Sequence, residues 1–212
     1  MGSRERLGVF GGTFDPVHIG HLVLASAAHH QLHLDRTLLV VAGDPWQKQG
    51  RVIAAAEDRF AMVADAVADY PELAQQLEPS RVEIDRAGPT YTIDTVEHLA
   101  DAQTDVFLIL GSDVAARLDT WHRADDLRAA VTVAVVGRSP SEAASVPGGW
   151  RSVTVTMPHL EVSSTDLRNR LAAGEPIDVL VPPSVVRRIR TRGLYTARDA
   201  ADAHDDQPST AS

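Results

Sequence analysis

Cysteine is absent from the 212-residue chain. That excludes a disulfide scaffold, a cysteine-based zinc site and a thiol nucleophile together. Lysine is almost absent: 19 of the 20 basic residues are arginine, so lysine-dependent chemistry has only Lys48 to run through. No apolar run approaches the length of a bilayer-spanning helix, and Leu38-Leu39-Val40-Val41-Ala42 is typical of those present. The opening residues Met1 to Arg6 lack the apolar stretch of a signal peptide, so a cytoplasmic protein with no membrane partner is expected. Acidic residues outnumber basic ones, 29 to 20, for a net charge of −9. This argues against a nucleic-acid partner but leaves room for a local site that takes a small anion. With 44% apolar and 23% charged residues the composition is that of an ordinary globular enzyme.

Apolar, β-branched segments alternate with segments of helical character. Leu7 to Phe10, Thr37 to Ala42, Val106 to Leu110, Val131 to Val136 and Val153 to Met157 read as strands, with Arg81 to Asp85 as a weaker one. The central runs are almost continuously apolar, which suits parallel strands covered on both faces. Ile19 to Leu32, Glu57 to Tyr70, Tyr91 to Ala102 and Ser164 to Ala173 read as helices, the third capped at Thr90 and the last at Ser163 or Ser164. The expected class is α/β: a doubly wound, Rossmann-like parallel sheet with helices on both faces. One domain over residues 1–196 is expected, with a loop at Pro140 to Gly149 and a disordered polar tail from Ala197 to Ser212.

The densest chemical signal is Val9-Phe10-Gly11-Gly12-Thr13-Phe14-Asp15-Pro16-Val17-His18-Ile19-Gly20-His21. A strand runs into two glycines and a short loop, then into a helix that starts near His18. Glycines let backbone approach a phosphate, and the open N–H groups of a helix start attract anions. His18 and His21, three apart, lie on one face of the first helical turn. Taken singly, the glycine pair is also a plain tight turn, the histidines a plain helix surface or half of a metal site. The string is neither the dinucleotide fingerprint nor a P-loop, since Gln49 follows Lys48. A second cluster, Ser163-Ser164-Thr165-Asp166-Leu167-Arg168, offers hydroxyl and backbone donors at another helix start, with Arg168 one turn on. Alone it is also an ordinary Ser/Thr cap.

These two blocks resemble the nucleotidyltransferase superfamily that carries the (H/T)xGH signature. Thr90-Tyr91-Thr92-Ile93-Asp94-Thr95, and Gly111-Ser112-Asp113 with Trp121 eight residues on, narrow the resemblance to the nicotinate-nucleotide adenylyltransferase family. Leu180-Val181-Pro182-Pro183 and Gly193-Leu194-Tyr195 also fit, so the likeness spans roughly residues 6 to 196. It implies transfer of an adenylyl group from ATP to nicotinate mononucleotide, giving deamido-NAD and pyrophosphate. It further implies that His18, His21 and Arg168 carry the catalysis. Gly11, Gly12, Thr13, Phe14, Gly111, Asp113, Ser163, Ser164 and Thr165 would bind ATP. Lys48, Tyr91, Thr92, Trp121 and Arg138 would bind the mononucleotide, Trp121 stacking on the pyridine ring and Thr92 receiving the carboxylate. Tyr91 and Trp121 are also compatible with core positions. Magnesium would bridge ATP phosphates, with no protein metal site required. A homo-oligomer is compatible with the sequence.

The chain departs from the family pattern at Gly43-Asp44-Pro45-Trp46-Gln47-Lys48-Gln49, which has one proline where many members have two. Other superfamily members, such as a pantetheine-phosphate adenylyltransferase, share the first and last blocks but lack Thr90-Tyr91-Thr92 and Trp121. A class I aminoacyl-tRNA synthetase would need a second lysine. A non-catalytic nucleotide sensor would keep the phosphate cradles without a second substrate pocket. The resemblance predicts that His21→Ala lowers turnover by on the order of a hundredfold while the fold survives, read by steady-state kinetics beside circular dichroism. Near-wild-type turnover would remove His21 from the catalytic set.

Overall fold

The computed structural model describes residues 4–43, 54–137 and 146–196. Six strands, β1 (Glu5–Gly12), β2 (Arg36–Val41), β3 (Leu77–Ser80), β4 (Thr104–Gly111), β5 (Val131–Gly137) and β6 (Ser152–Thr156), form one sheet. Their order is β3-β2-β1-β4-β5-β6, and every neighbouring pair is parallel. The helices are α1 (Ile19–Gln31), α2 (Ala56–Ala68), α3 (Thr92–Leu99), α4 (Ser112–Ala115), α5 (Ala124–Ala130), α6 (Ser164–Ala172) and α7 (Pro183–Arg192).

The apolar strands are explained by what lies on each side of them. Alternate residues of a strand face opposite ways, so a strand covered twice must be apolar at successive positions. Leu39 and Val41 of β2, Phe107 and Ile109 of β4, and Ala134 and Val136 of β5 pack on one face with α1, α2, α6 and α7. Leu38 and Val40, Val106 and Leu108, and Val133 and Val135 pack on the other with α3, α4 and α5. No helix of the described residues is long and apolar enough to cross a membrane.

Two expectations need correction. The third strand is Leu77–Ser80 rather than 81–85. Leu77 pairs with Thr37 on the outer edge of β2, where Pro79 is tolerated because one side of an edge strand carries no ladder. The alternating Arg81 to Asp85 instead coils into a turn, with Ile84 and Asp85 both donating to the Arg81 carbonyl. The third helix is capped by Tyr91, not Thr90, and stops at Leu99. The short α4 and α5, each seven residues or fewer, carry too little periodicity to be read in advance. The expected tail at 197–212 and most of the expected loop at 140–149 lie outside the described residues.

This strand order reverses direction at β1, with β2 on one side and β4 on the other. Connections that leave β1 and β4 toward opposite faces leave a crevice at their carboxyl ends, where ligands of open α/β sheets sit. Gly11-Gly12 end β1 at that crevice, and Gly111 ends β4.

Candidate active site

At the end of β1 the chain passes through Thr13 to Val17 and enters α1 with His18 as its N-cap. Gly12 is required by close approach, since a Cβ there would stand 2.8 Å from the Phe14 ring. Gly20 is similar: a Cβ would meet the His18 ring at 3.0 Å. At Gly11 a Cβ would meet nothing within 4 Å, so this backbone faces open cleft. The Asp15-Pro16 peptide is cis.

The two histidines of the motif are brought together. Their rings stack at 3.7 Å between centroids, tilted by 29°. The amide N–H of His18 donates to Nδ1 of His21 at 3.2 Å, which leaves the His21 ring proton on Nε2 and makes that nitrogen a donor. Phe14 and Phe10 support the other side of the His21 ring, at 5.0 and 6.0 Å. Phe14 was expected at the nucleotide. It is 1% exposed and belongs to the core, where its ring meets His21. His18 is 6% exposed, and burial lowers its pKa to about 4. Its Nδ1 finds no hydrogen-bond partner among the described residues.

The backbone carbonyls of this loop are turned away from the cleft onto side chains from distant segments. Arg59 Nη1 donates to the Thr13 carbonyl at 2.8 Å. Arg168 Nη1 donates to the Asp15 carbonyl at 2.8 Å, and Ser164 Oγ donates to that of Pro16 at 2.9 Å. Two residues expected at the ATP phosphates thus have their polar atoms on the loop itself. Ser163 is the cap of α6: its Oγ accepts from the Asp166 amide at 3.1 Å and donates to the Asp166 carboxylate at 2.7 Å. Thr165 Oγ1 accepts from Arg168 Nη2 at 3.4 Å. The second cluster packs directly against the first.

Beside β1 lies a cleft of about 210 Å³, walled by Gly11, Gly12 and Thr13 on one side and by Thr90, Tyr91, Thr92, Trp121 and His122 on the other. Tyr91 stacks on His122 at 4.1 Å. Trp121 lines the cleft and also packs against the core. Thr92 opens α3, whose first amides point toward the cleft end of the helix. Asp113 is exposed on the first turn of α4, at the end of β4. Lys48 and Arg138, expected at the mononucleotide phosphate, lie outside the described residues, as does Trp46.

Sequence reading missed the cleft floor. Glu83 is buried there and accepts from Thr95 Oγ1 at 2.8 Å, while Thr95 accepts from Arg86 Nη2 at 3.1 Å. Burial raises the Glu83 pKa, and the Thr95 hydrogen bond, then the Arg86 charge, oppose the rise. Arg86 Nε and Nη1 are buried without a hydrogen-bond partner among the described residues. His122 was legible only as the neighbour of Trp121. Arg59 had a clearer signal: it sits three and four residues before Met62 and Val63, on the apolar face of α2.

The chain belongs to the cytidylyltransferase-like family, whose model matches residues 9–170. It is 41% identical over 203 residues to a probable nicotinate-nucleotide adenylyltransferase of Saccharopolyspora erythraea, covering 94% of this chain and 93% of the relative. A protein of the same description from Streptomyces coelicolor is 43% identical over 190 residues, covering 87% and 98%. Within the larger family, then, the chain belongs with the nicotinate-nucleotide adenylyltransferases. Among solved structures, the Plasmodium falciparum nicotinic acid mononucleotide adenylyltransferase complexed with NaAD shares the fold at a TM-score of 0.73, with 16% identity and 90% and 97% coverage. A putative nicotinate-nucleotide adenylyltransferase of Vibrio parahaemolyticus follows the same fold at 0.65, with 18% identity and 90% and 95% coverage.

The buried His18 makes stability depend on pH. Its folded pKa lies below the value of 6.5 expected when unfolded, so the unfolded state binds the extra proton first. The stability it permits is present above 6.5 and is lost as pH falls through the window down to about 4. Between about pH 7.5 and about pH 5 this loss is about 2 kcal/mol. Urea unfolding of wild type and His18→Gln at both pH values should show a smaller loss in the variant. Equal losses would mean that His18 is not held uncharged.

Proposed function

We propose that the chain transfers the adenylyl group of ATP to nicotinate mononucleotide, releasing pyrophosphate and deamido-NAD, and so acts in NAD biosynthesis. The observation that carries this reading is one cleft with Gly11 to Thr13 on one wall and the Thr90–Thr92 and Trp121–His122 elements on the other, the first wall running on into the helix start where His18 and His21 stack. The first wall suits a triphosphate, and the second suits a flat ring that bears a small anion. The names of relatives about 40% identical over most of the chain agree.

A phosphate oxygen of the mononucleotide attacks the α-phosphorus in line, and the bond from that phosphorus to the pyrophosphate oxygen breaks. The nucleophile is already anionic, so the protein has little proton transfer to arrange. Its work is positioning and offsetting charge. His21, with a proton on Nε2, donates to the α-phosphate oxygens as charge builds there. His18 lies beneath it in contact, and the amides of Gly11 to Thr13 and of the α1 start face the phosphates. Arg168 places positive charge behind the loop, and Thr165 adds a hydroxyl at the start of α6. Asp113 receives the ATP ribose and the backbone at Gly111 the adenine. Trp121 stacks on the pyridine ring, and the first amides of α3 at Thr92 receive the carboxylate.

Among the described residues no group of three or more His, Asp or Glu could hold a metal ion. Magnesium is proposed to arrive on ATP, where it would draw off phosphate charge. The working unit is a single nucleotidyltransferase domain over residues 1–196, and its place is the cytoplasm, which supplies ATP.

Pyrophosphate release with ATP and magnesium should be strong with nicotinate mononucleotide and weak with nicotinamide mononucleotide. Release with neither, from folded protein that binds ATP, would return the chain to a superfamily member with another substrate or to a sensor. Trp121→Ala should mainly raise KM for the mononucleotide, by the equivalent of about 1–3 kcal/mol of lost stacking. A change confined to kcat would place Trp121 away from the pyridine ring.

A further inference from the structure

We infer that Arg59 is a positioning residue for adenylyl transfer, a buried fork that sets the phosphate loop from behind and thereby aims His21; this rests on the activity proposed above. Arg59 is 1% exposed and does not line the cleft, whereas Thr13, which it holds, does. Its Nε donates to the Ala54 carbonyl at 3.1 Å, Nη1 to that of Thr13 at 2.8 Å, and Nη2 to that of Gly43 at 3.1 Å. Three main-chain acceptors from separate stretches of chain are therefore held by one planar group.

A second set of bonds closes the cluster. The Ala54 amide donates to Asp15 Oδ1 at 3.1 Å, and the Tyr195 hydroxyl donates to the same oxygen at 2.7 Å. Ala54 is thus gripped at both its carbonyl and its N–H, and residues 13 to 15 are gripped from two sides. Asp15 supplies the opposite charge that burial of a guanidinium demands.

From Thr13 the path to the chemistry is short. Phe14 follows directly, in a left-handed backbone conformation with φ of 52°. Its ring covers Gly12 and stands edge-on to His21 at 5.0 Å. A Thr13–Phe14 peptide free to rotate would shift the ring against which His21 is set. An apolar side chain of similar size would leave the three carbonyls unpaired and Asp15 without this counter-charge. An apolar chain cannot hold three carbonyls in fixed directions, and neither can the point charge of a lysine.

The test compares wild type, Arg59→Lys and Tyr195→Phe at a temperature where circular dichroism shows each folded. Pyrophosphate release gives kcat and KM, calorimetry gives the ATP Kd, and the 15N resonances of the histidine rings report the setting of His21. Arg59→Lys should lower kcat by on the order of tenfold or more, with the ATP Kd moved far less and the His21 resonances displaced. Tyr195→Phe should move both in the same direction by less. A folded Arg59→Lys with wild-type kcat and unmoved resonances overturns the proposal, as does a loss confined to melting temperature. Should Arg59→Lys fail to fold, Tyr195→Phe decides alone on the same two readouts. If wild type itself releases no pyrophosphate, the activity fails while the resonances still show whether Arg59 sets His21.

Discussion

A loop that binds phosphate through its backbone must turn N–H groups outward, and its carbonyls then point inward, where water does not reach. Each of those carbonyls needs a donor from the protein, because a buried acceptor left unpaired costs about 1–3 kcal/mol. Here the donors are Arg59 for Thr13, Arg168 for Asp15 and Ser164 for Pro16. They come from α2 and α6, which bind the first turn of the sheet to elements far along the chain.

The same requirement connects the two blocks that looked like separate anion cradles. The start of α6 packs on the loop before α1, so that Ser164 and Arg168 touch residues 15 and 16 rather than standing across a cavity from them. Charge is arranged to suit. Asp15, buried beneath the loop, meets the Arg168 guanidinium at 3.9 Å and takes the Tyr195 hydroxyl. Behind the loop the Arg59 and Arg168 guanidinium groups thus outnumber the one carboxylate of Asp15, a balance that suits an anion in front.

The opposite wall is built differently. Tyr91, His122 and Trp121 give flat apolar surface, and the floor beneath them is a chain of hydrogen bonds from Arg86 through Thr95 to Glu83. That chain fixes the start of α3, since Arg86 also reaches the Tyr91 carbonyl at 3.5 Å. Helix start and aromatic stack are therefore held as one piece.

Local chemistry was legible in the chain itself. Continuous apolar runs announced a parallel sheet covered twice, Gly-Gly before His-Ile-Gly-His announced a strand ending ahead of a helix start, and Ser163 announced its cap, because each depends on residues near in sequence. Other features had no local signature. Leu77–Ser80 became the edge strand through pairing with β2, and the better-patterned 81–85 was bent inward to bring Glu83 beneath the cleft. Phe14 went to the core although it stands inside the motif. Arg59, Asp15 and Tyr195, each far from the others in sequence, acquired their meaning only when folding brought them together. A sequence lays down propensities and motifs over a few residues, whereas the partner of a buried polar group is settled by which distant segment the packed sheet delivers beside it.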